Sequence, residues 1–277
     1  MPPLFLVLTA AAESVAEFPA EPIARLEVMS LNIWGLAWPL SKKRGPRMRS
    51  LDALKLDEYD VVGIQEVWRG AWRRIPWRER IQRPDTRADS GLGLTGRLPE
   101  TASTPTLVPF AATAGFERLK DKGILISTVA VPEIGDVWVY VTHFQAGSGA
   151  GTVRAAQAEE LMALMDARPG PAVVLGDFNL YRDHPIDAAT ETQLAASGLR
   201  DVAVLSGAPQ ATYIAENPYT WRGENGERFD RIYLRDGEGI QLILATSAVL
   251  MYDDPLSDHQ PVTATIEVRR RDAERTE

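Results

Sequence analysis

Short polar motifs follow the apolar runs of this chain, and their side chains are of the kinds that hold a divalent cation and a phosphate group. Each motif lies at or just after a run of apolar residues that predicts a buried strand. The motifs are Asn32, Gln65-Glu66, Thr142-His143, Gly176-Asp177-Phe178-Asn179, Phe229-Asp230-Arg231-Ile232 and Ser257-Asp258-His259. Carboxylates, imidazoles and amides at successive strand ends predict one polar cleft built on a sheet.

Glu66 ends the apolar run that begins at Tyr59. A single Glu after a strand is ordinarily a surface residue, so its role depends on the other motifs. An oxygen-rich site suits Mg²⁺, which keeps several waters and takes one or two carboxylates together with a substrate phosphate. Asn32 is the candidate neutral oxygen ligand. We therefore expect Glu66 and Asn32 to hold Mg²⁺, with Mn²⁺ or another divalent cation as the alternative.

Asp177 and Asn179 flank Phe178 at the end of a buried run. Strand alternation predicts that both polar side chains face one side while Phe178 turns toward the core. An ionised Asp can orient or deprotonate a water, and an Asn amide can donate to a phosphoryl oxygen. A polar turn is the alternative, since Gly, Asp and Asn all form turns. The apolar run before the motif favours the catalytic interpretation.

The chain has three His residues. His259 is the candidate general base or acid, because the pKa of imidazole lies near neutral pH. Asp230 is the candidate carboxylate that orients it, and an edge charge paired with Arg231 is the alternative for this Asp. His143 is a candidate phosphate donor. His184 lies in a predicted loop and receives no role.

Composition and missing motifs exclude or disfavour several classes of function. The 277 residues are 45% hydrophobic and 25% charged, as in an ordinary globular protein. The formal net charge of −8 disfavours a general nucleic-acid binder, whose affinity comes mostly from neutralising phosphates. The absence of Cys excludes disulfides and thiolate sites. The chain also lacks a Gly-x-Ser-x-Gly elbow, a Walker-type loop and zinc-ligand spacing.

The two ends of the chain differ from its middle. The apolar run from Leu4 to Ala12 resembles the core of a secretory signal but lacks a preceding basic residue. It is too short to span a bilayer, and no later segment predicts a transmembrane helix. A secreted or periplasmic location is slightly favoured over a cytoplasmic one, with an apolar tail as the alternative. We expect a signal-like or flexible segment at 1–24, a single catalytic domain at 25–268 and a charged tail at 269–277.

Strands outnumber helices in the predicted elements. The predicted strands are 27–33, 59–65, 91–98, 123–131, 137–143, 172–176, 228–234, 240–245 and 261–268, and the predicted helices are 48–56, 68–81, 153–167 and 190–196. The strands at 123–131 and 137–143 form a predicted hairpin. This mixed order favours an α/β sandwich of two sheets with outer helices. One domain must bring Asn32 and His259 together.

The motifs resemble those of the endonuclease/exonuclease/phosphatase superfamily. The strings Gly176-Asp177-Phe178-Asn179 and Ser257-Asp258-His259 carry this resemblance most specifically. The N-terminal third of the chain, with Asn32-Ile33-Trp34-Gly35, is similar to the neutral sphingomyelinase branch of this superfamily. The resemblance covers roughly residues 26–268. It implies the DNase I-like fold, a four-layered α/β sandwich with two mixed β-sheets flanked by helices.

The resemblance also implies Mg²⁺-dependent phosphodiester hydrolysis. In this scheme Glu66 holds the metal with Asn32 close by, and Asp177 positions the attacking water. His259 serves as general base and is steered by Asp230.

The remaining motif residues receive roles around the phosphate by the same resemblance. Asn179 and His143 hold the phosphate, and Lys122 adds a positive contact to it. Asp258 lies alongside His259.

The sphingomyelinase-like motifs imply hydrolysis of sphingomyelin or a related phospholipid, with peripheral membrane contact. Bacterial secreted members of that branch resemble one another in an aromatic-tipped hairpin that this sequence lacks. The Trp- and Arg-rich segment 68–78 is an alternative contact, although a helix with a Trp core face is the favoured interpretation. The alternative functions are a nuclease, which the acidic charge disfavours, an inositol-phosphate monoesterase, and an inert binding module, which the retained motifs disfavour.

Overall fold

A computed structural model of the chain describes residues 21–37, 39–68, 89–97, 105–220 and 226–271. The strands in these residues form two mixed sheets, in the orders β10-β11-β1-β2-β3 and β4-β5-β6-β7-β9-β8. Their bounds are β1 Ala24–Asn32, β2 Val61–Gln65, β3 Gly93–Thr95, β4 Thr106–Pro109, β5 Gly123–Val131, β6 Gly135–His143, β7 Ala172–Asp177, β8 Arg200–Asp201, β9 Asp230–Arg235, β10 Ile240–Val249 and β11 Val262–Arg270.

Four α-helices lie in the described residues. They are α1 Arg44–Ser50, α2 Gly151–Asp166, α3 Pro185–Ala196 and α4 Val202–Leu205. Short 3₁₀ turns occupy Leu51–Leu54, Leu56–Glu58, Gly115–Leu119 and Ser148–Ala150. None of the described helices is long and apolar enough to cross a membrane.

Three apolar clusters separate the layers of the fold. The largest lies between the sheets and includes Val28, Val139 and Val173. Gly63 of β2 is required there, because a Cβ at this position would lie 2.7 Å from the Cβ of Leu175. The second cluster lies between the six-stranded sheet and its helices, and the third between β1, β2 and α1. The predicted four-layered α/β sandwich is confirmed.

Strand register brings the polar motifs to one edge of both sheets, which we call the motif edge. Strands β1 and β2 are parallel, with Asn32 opposite Gln65, and β6 and β7 are parallel, with His143 opposite Asp177. Strand β9 is antiparallel to β7, so Asp230 at its start lies opposite Asp177. Strand β11 is antiparallel to β1 and also begins at this edge.

The elements agree with the sequence prediction except at several boundaries. The hairpin of β5 and β6 is confirmed. Helix α3 begins earlier than predicted, at Pro185, because Pro is well suited to the first turn of a helix. The segment at 91–98 contains only the short strand β3. Strand β11 continues through Arg270 in pairing with β10, so the first two residues of the predicted tail at 269–277 belong to a strand. The predicted helix at 68–81 and most of the signal-like segment lie outside the described residues.

The buried face of α2 is partly polar. Leu161 and Met165 are buried in it together with Arg154 and Gln157, whereas Ala156 and Leu164 are only partly buried. Apolar periodicity misses such positions, because a buried polar side chain depends on partners from other segments.

Candidate active site

The Asp177 carboxylate lies at the centre of the motif edge and is almost fully buried. Its Oδ2 accepts a hydrogen bond from Asn32 Nδ2 at 2.9 Å and lies 3.4 Å from His143 Nε2 and 3.8 Å from His259 Nε2. Its Oδ1 accepts from the backbone N–H of Asn179 at 3.1 Å. Burial, with a further contribution from nearby Asp230, raises the pKa of Asp177 to about 6. The structure thus brings predicted residues from both sheets together.

His259 and Asp230 form a close pair. His259 Nδ1 lies 2.7 Å from Asp230 Oδ2, so a proton on Nδ1 donates to this carboxylate and Nε2 faces Asp177. Burial opposes a charge on His259, but Asp230 and Asp177 outweigh it and raise the pKa well above 6.5. The alternative pairing of Asp230 with Arg231 is wrong, because Arg231 pairs with carboxylates on the opposite face of β9.

The surroundings of His259 are more enclosed than those of a residue on the rim of a cleft. Only 8% of the residue is exposed, and its ring packs against Tyr213 and Phe229 at centroid distances of 5.0 and 6.1 Å. The imidazole is therefore held in one orientation by aromatic packing as well as by Asp230.

Glu66 is held at the end of β2 in a left-handed conformation, with φ of 57°. Its Oε1 accepts from Asn32 Nδ2 at 3.3 Å, and its Oε2 accepts from Trp68 Nε1 at 3.4 Å. The amide oxygen of Asn32 accepts from the backbone N–H of Trp34 at 2.9 Å. In this arrangement Asn32 Nδ2 donates hydrogen bonds to the carboxylates of Glu66 and Asp177. The predicted role of Asn32 as an oxygen ligand of the metal stays a prediction.

Asp258 supplies a second carboxylate near Glu66. It is buried, and Ser257 Oγ donates to it at 3.1 Å. Burial and the charge of Glu66 raise the pKa of Asp258 to about 7. A buried carboxylate with a second acidic side chain close by is a suitable donor set for a hard divalent cation, which would offset the negative charge. Glu66 and Asp258 therefore fit the metal that the sequence predicts.

A second acidic group is the trio of Asp177, Asp230 and His259, whose candidate ligand atoms all lie within 4.8 Å of one another. In this trio the imidazole of His259 is already hydrogen-bonded to Asp230. The trio therefore has the geometry of a proton-transfer set as well as that of a possible metal site.

Asn179 lies in the cleft, but strand alternation does not place it there as the sequence predicts. Its φ of 50° is left-handed, so strand alternation stops at Asp177. Its Nδ2 donates to Phe144 O at 3.3 Å, which leaves a second N–H on the same amide. Phe178 is fully buried against Phe144 and Tyr233, as predicted.

Lys122 and His143 lie on the side of the cleft formed by β5 and β6. Lys122 is buried, and its Nζ donates to Phe144 O at 3.0 Å and to Glu117 Oε1 at 2.7 Å. Burial, together with the charges of Lys122 and His259, holds the pKa of His143 well below 6.5. His143 is therefore neutral near pH 7, and one of its ring nitrogens carries a proton that it can donate.

Arg47 of α1 organises the cleft, although sequence reasoning gave it no role. Its guanidinium donates to the carbonyl oxygens of Ile33, Trp34 and Leu256 at 3.1, 3.0 and 2.8 Å. It also lies 4.8 Å from the centroid of the Trp34 ring. Arg47 thus joins the segment after Asn32 to the segment before Ser257. The sequence offered one indication that Arg47 is buried: it lies four residues before the apolar Leu51, and residues i and i+4 share a helix face.

A second buried Arg supports the loop after His143. Arg154 donates to both carboxylate oxygens of Asp187 at 2.9 and 2.6 Å, and its Nη1 donates to the carbonyls of Gln145 and Gly147 at 3.1 and 2.7 Å. Gln157 accepts from the Gln145 N–H at 2.8 Å. Arg154 and Gln157 are spaced so that they share the face of α2 that carries buried apolar residues. This spacing was the indication in the sequence that both are buried.

Comparison with known families agrees with this geometry. The fold and site define a metal-dependent phosphodiesterase. The model of the Endonuclease/Exonuclease/phosphatase family matches residues 29–259, a range that includes every polar motif from Asn32 to His259. The chain belongs to this family. A search of curated proteins finds no match.

Solved structures share the fold at low sequence identity. Beta toxin from Staphylococcus aureus is 18% identical with a TM-score of 0.68, over 86% of this chain and 99% of that chain. Sphingomyelinase C from Streptomyces griseocarneus is 20% identical with a TM-score of 0.65, over 87% and 99%. TDP2 from D. rerio, complexed with a single-strand DNA product, is 20% identical with a TM-score of 0.68, over 88% and 99%. At these identities the likeness concerns the fold.

Proposed function

We propose that this phosphodiesterase uses Mg²⁺ to hydrolyse the head-group phosphodiester of a phospholipid, with sphingomyelin as the leading substrate. The observation that carries the proposal is the position of Asp177 Oδ2, within 3.8 Å of His259 Nε2 and in contact with Asn32 and His143. A carboxylate beside an oriented imidazole is the arrangement required to activate a water.

The His259–Asp230 pair handles the proton. Asp230 fixes the tautomer and orientation of the ring, so Nε2 is the nitrogen that accepts a proton from the attacking water. Asp177 accepts a hydrogen bond from the same water and orients its lone pair toward phosphorus. The high pKa of His259 makes it an effective base once it is neutral.

Three side chains stabilise the phosphoryl oxygens, which gain negative charge in the transition state. Asn179 offers its second amide N–H, and neutral His143 donates without repelling the incoming water. Lys122 contributes positive charge from a buried position beside Phe144. Donors that are fixed before substrate binds need little reorganisation during the reaction.

Glu66 would hold the Mg²⁺ ion, next to Asp258 and Asn32. When bound, Mg²⁺ polarises a phosphoryl oxygen and offsets the charge that accumulates on it. The oxygen donors at this position suit Mg²⁺ better than a soft metal.

The lipid substrate is supported by the motifs shared with the neutral sphingomyelinase branch and by the net charge of −8, which opposes the approach of a polyanion. The structures similar in fold include beta toxin and a sphingomyelinase C. A substrate on an outer cell surface would agree with export of the chain.

A nuclease is the second candidate. TDP2 in complex with a single-strand DNA product matches the fold as well as beta toxin does, with a TM-score of 0.68 in both cases.

A direct comparison of substrates tests the proposal. Purified protein with Mg²⁺ is assayed on sphingomyelin, phosphatidylcholine, plasmid DNA and inositol phosphates, and the His259→Gln variant prepared in parallel reports contaminating activity. We expect release of phosphocholine from sphingomyelin to be the fastest reaction. Faster nicking of plasmid, or phosphate release from inositol phosphates alone, would replace the lipid assignment.

A further inference from the structure

Two large apolar side chains project into solvent from the loop between β4 and β5. Phe116 is 92% exposed and Leu119 is 75% exposed. Both lie on the 3₁₀ turn Gly115–Leu119, where residues i and i+3 eclipse, so they project from the same side. The turn leaves this pair uncovered, although the chain buries most of its large apolar residues elsewhere.

The turn is fastened to the active site. Glu117, between the two apolar residues, accepts from the buried Lys122 at 2.7 Å and from the Ala146 N–H at 3.4 Å. Lys122 in turn donates to Phe144 O, next to His143. The pairing of Ile124 with Thr142 confirms that the start of β5 lies at the motif edge. The exposed pair therefore has a fixed position beside the cleft.

Basic side chains accompany the apolar pair. Arg118 is exposed between Phe116 and Leu119, and Lys120 follows directly. Lys120 Nζ lies 4.6 Å from the ring centroid of Trp68, which hydrogen-bonds Glu66 of the other sheet. Apolar side chains next to Arg and Lys are the combination that binds the surface of an anionic membrane.

A second loop at the motif edge presents the same combination, and a third presents an exposed apolar residue that is followed by the exposed acidic residues Asp253 and Asp254. Leu40 is 62% exposed and precedes the exposed residues Lys42 and Lys43, in the segment that follows β1. Met251 is 60% exposed in the segment between β10 and β11. Because β1 ends and β11 begins at the motif edge, these side chains lie on the side of the cleft formed by the five-stranded sheet.

We propose that the Phe116–Leu119 turn inserts into the head-group region of a phospholipid surface that contains anionic lipids, and so holds the cleft against its substrate. Phe116 and Leu119 enter the boundary between head groups and acyl chains, while Arg118 and Lys120 contact lipid phosphates. Leu40, with Lys42 and Lys43, approaches the same surface from the other side of the cleft. This inference rests on the proposed lipid substrate and assigns the contact to a segment other than 68–78.

The test measures binding and turnover separately. The double variant Phe116→Ser/Leu119→Ser is compared with the wild-type protein by co-sedimentation with vesicles of sphingomyelin and phosphatidylserine. Turnover is measured on the same vesicles and on bis(p-nitrophenyl) phosphate, a soluble phosphodiester. The matched control is Val204→Ser, because Val204 is 63% exposed on α4, which packs at the β8 edge of the six-stranded sheet, opposite β4.

We expect the double variant to bind vesicles at least about tenfold more weakly, since each buried apolar side chain contributes substantially to partitioning. Its turnover of vesicles should fall in parallel, while turnover of the soluble diester and the behaviour of Val204→Ser stay unchanged. Arg118→Ala/Lys120→Ala should weaken binding only to vesicles that contain phosphatidylserine.

The outcomes distinguish this proposal from the proposed function. Unchanged vesicle binding in the double variant overturns the docking proposal even when sphingomyelin is hydrolysed. A protein that binds vesicles through Phe116 and Leu119 but hydrolyses no phospholipid overturns the function and retains the docking surface. A wild-type dimer that the double variant dissociates would assign the turn to a second copy of the chain and overturn the lipid proposal.

Discussion

Asn32 Nδ2 lies 2.9 Å from Asp177 Oδ2, and this hydrogen bond joins the two sheets of the fold at the centre of the active site. Asn32 ends β1 of the five-stranded sheet, and Asp177 ends β7 of the six-stranded sheet. The distance between the carboxylates of Asp177 and Glu66 is therefore set by how the sheets pack. If Asp177 orients the water as we propose, catalysis depends on the packing of the core as well as on the residues that line the cleft.

Asp230→Asn should lower kcat by about 10²- to 10⁴-fold, because Asn cannot stabilise the imidazolium that forms when His259 takes a proton. Loss of the negative charge also lowers the pKa of His259, so the base stays neutral at lower pH and the acid limb of the kcat/KM profile moves to lower pH. A pH series on a soluble diester measures both effects. The control is Asp136→Asn, at the other end of β6. If the acid limb does not move, Asp230 does not influence the pKa of His259 and this prediction is wrong.

Glu66→Gln should raise the Mg²⁺ concentration required for half-maximal rate by about tenfold or more, since a neutral amide oxygen binds a hard cation more weakly than a carboxylate does. The shape of the side chain is retained, but only one of the two hydrogen bonds donated by Asn32 and Trp68 is kept, because Gln has a single acceptor oxygen. Rate and calorimetric titrations with Mg²⁺ measure the change, with exposed Glu58→Gln as the control. An unshifted titration would remove Glu66 from the metal site.

The metal-free protein should be more stable at pH 6 than at pH 8. Burial raises the pKa of Asp177 to about 6 and that of Asp258 to about 7, and His259 is raised well above 6.5. Each of these three groups binds its proton more tightly in the folded state than in the unfolded state, so this stabilisation is lost as pH rises through the folded pKa values. His143, whose pKa is lowered, acts in the opposite direction near pH 6.5, but it is one group against three.

The expected decrease in the free energy of unfolding between these pH values is on the order of 1 to 3 kcal/mol. Denaturant unfolding in EDTA measures it. Millimolar Mg²⁺ should reduce the difference, because the cation stabilises the ionised carboxylates. Stability that is flat or rising between pH 6 and pH 8 in EDTA would contradict the raised pKa values.

Asp187→Ala should destabilise the protein by about 3 to 5 kcal/mol, because it leaves the buried guanidinium of Arg154 without its carboxylate. The loop at Gln145 and Gly147 should also loosen, since Arg154 holds both carbonyls. Thermal unfolding and kcat on a soluble diester report the two effects. The control is Lys55→Ala in the exposed pair with Glu58, for which we expect an unchanged Tm. Equal Tm values for both variants would show that the buried pair contributes no stability.

Much of the site was predictable because its residues follow apolar runs. The β-strands that carry Asn32, His143 and Asp177 are recognisable from local composition, and chain direction places a polar residue at each end. The motif strings around Asp177 and His259 also indicated the family that the match over residues 29–259 confirms.

Backbone conformation at the strand ends was not predictable in the same way. Glu66 and Asn179 both have left-handed φ angles, which residues with a Cβ seldom adopt. Neighbouring hydrogen bonds hold them there, with Asn32 and Trp68 contacting Glu66 and Asp177 contacting the Asn179 N–H. Asn32 belongs to a distant segment, so local propensity could not anticipate the conformation of Glu66, whereas Asn179 is of a residue type that tolerates the left-handed region.

The sequence by itself determined which segments become strands, which residues are candidates for the chemistry and which family the protein belongs to. Only the tertiary structure decided that Arg47 and Arg154 are buried, that His259 is enclosed by aromatic rings, and that Phe116 and Leu119 project beside the cleft. The physical reason is that apolar burial follows from the side chain itself, whereas a buried charge needs partners that only the folded chain brings within reach.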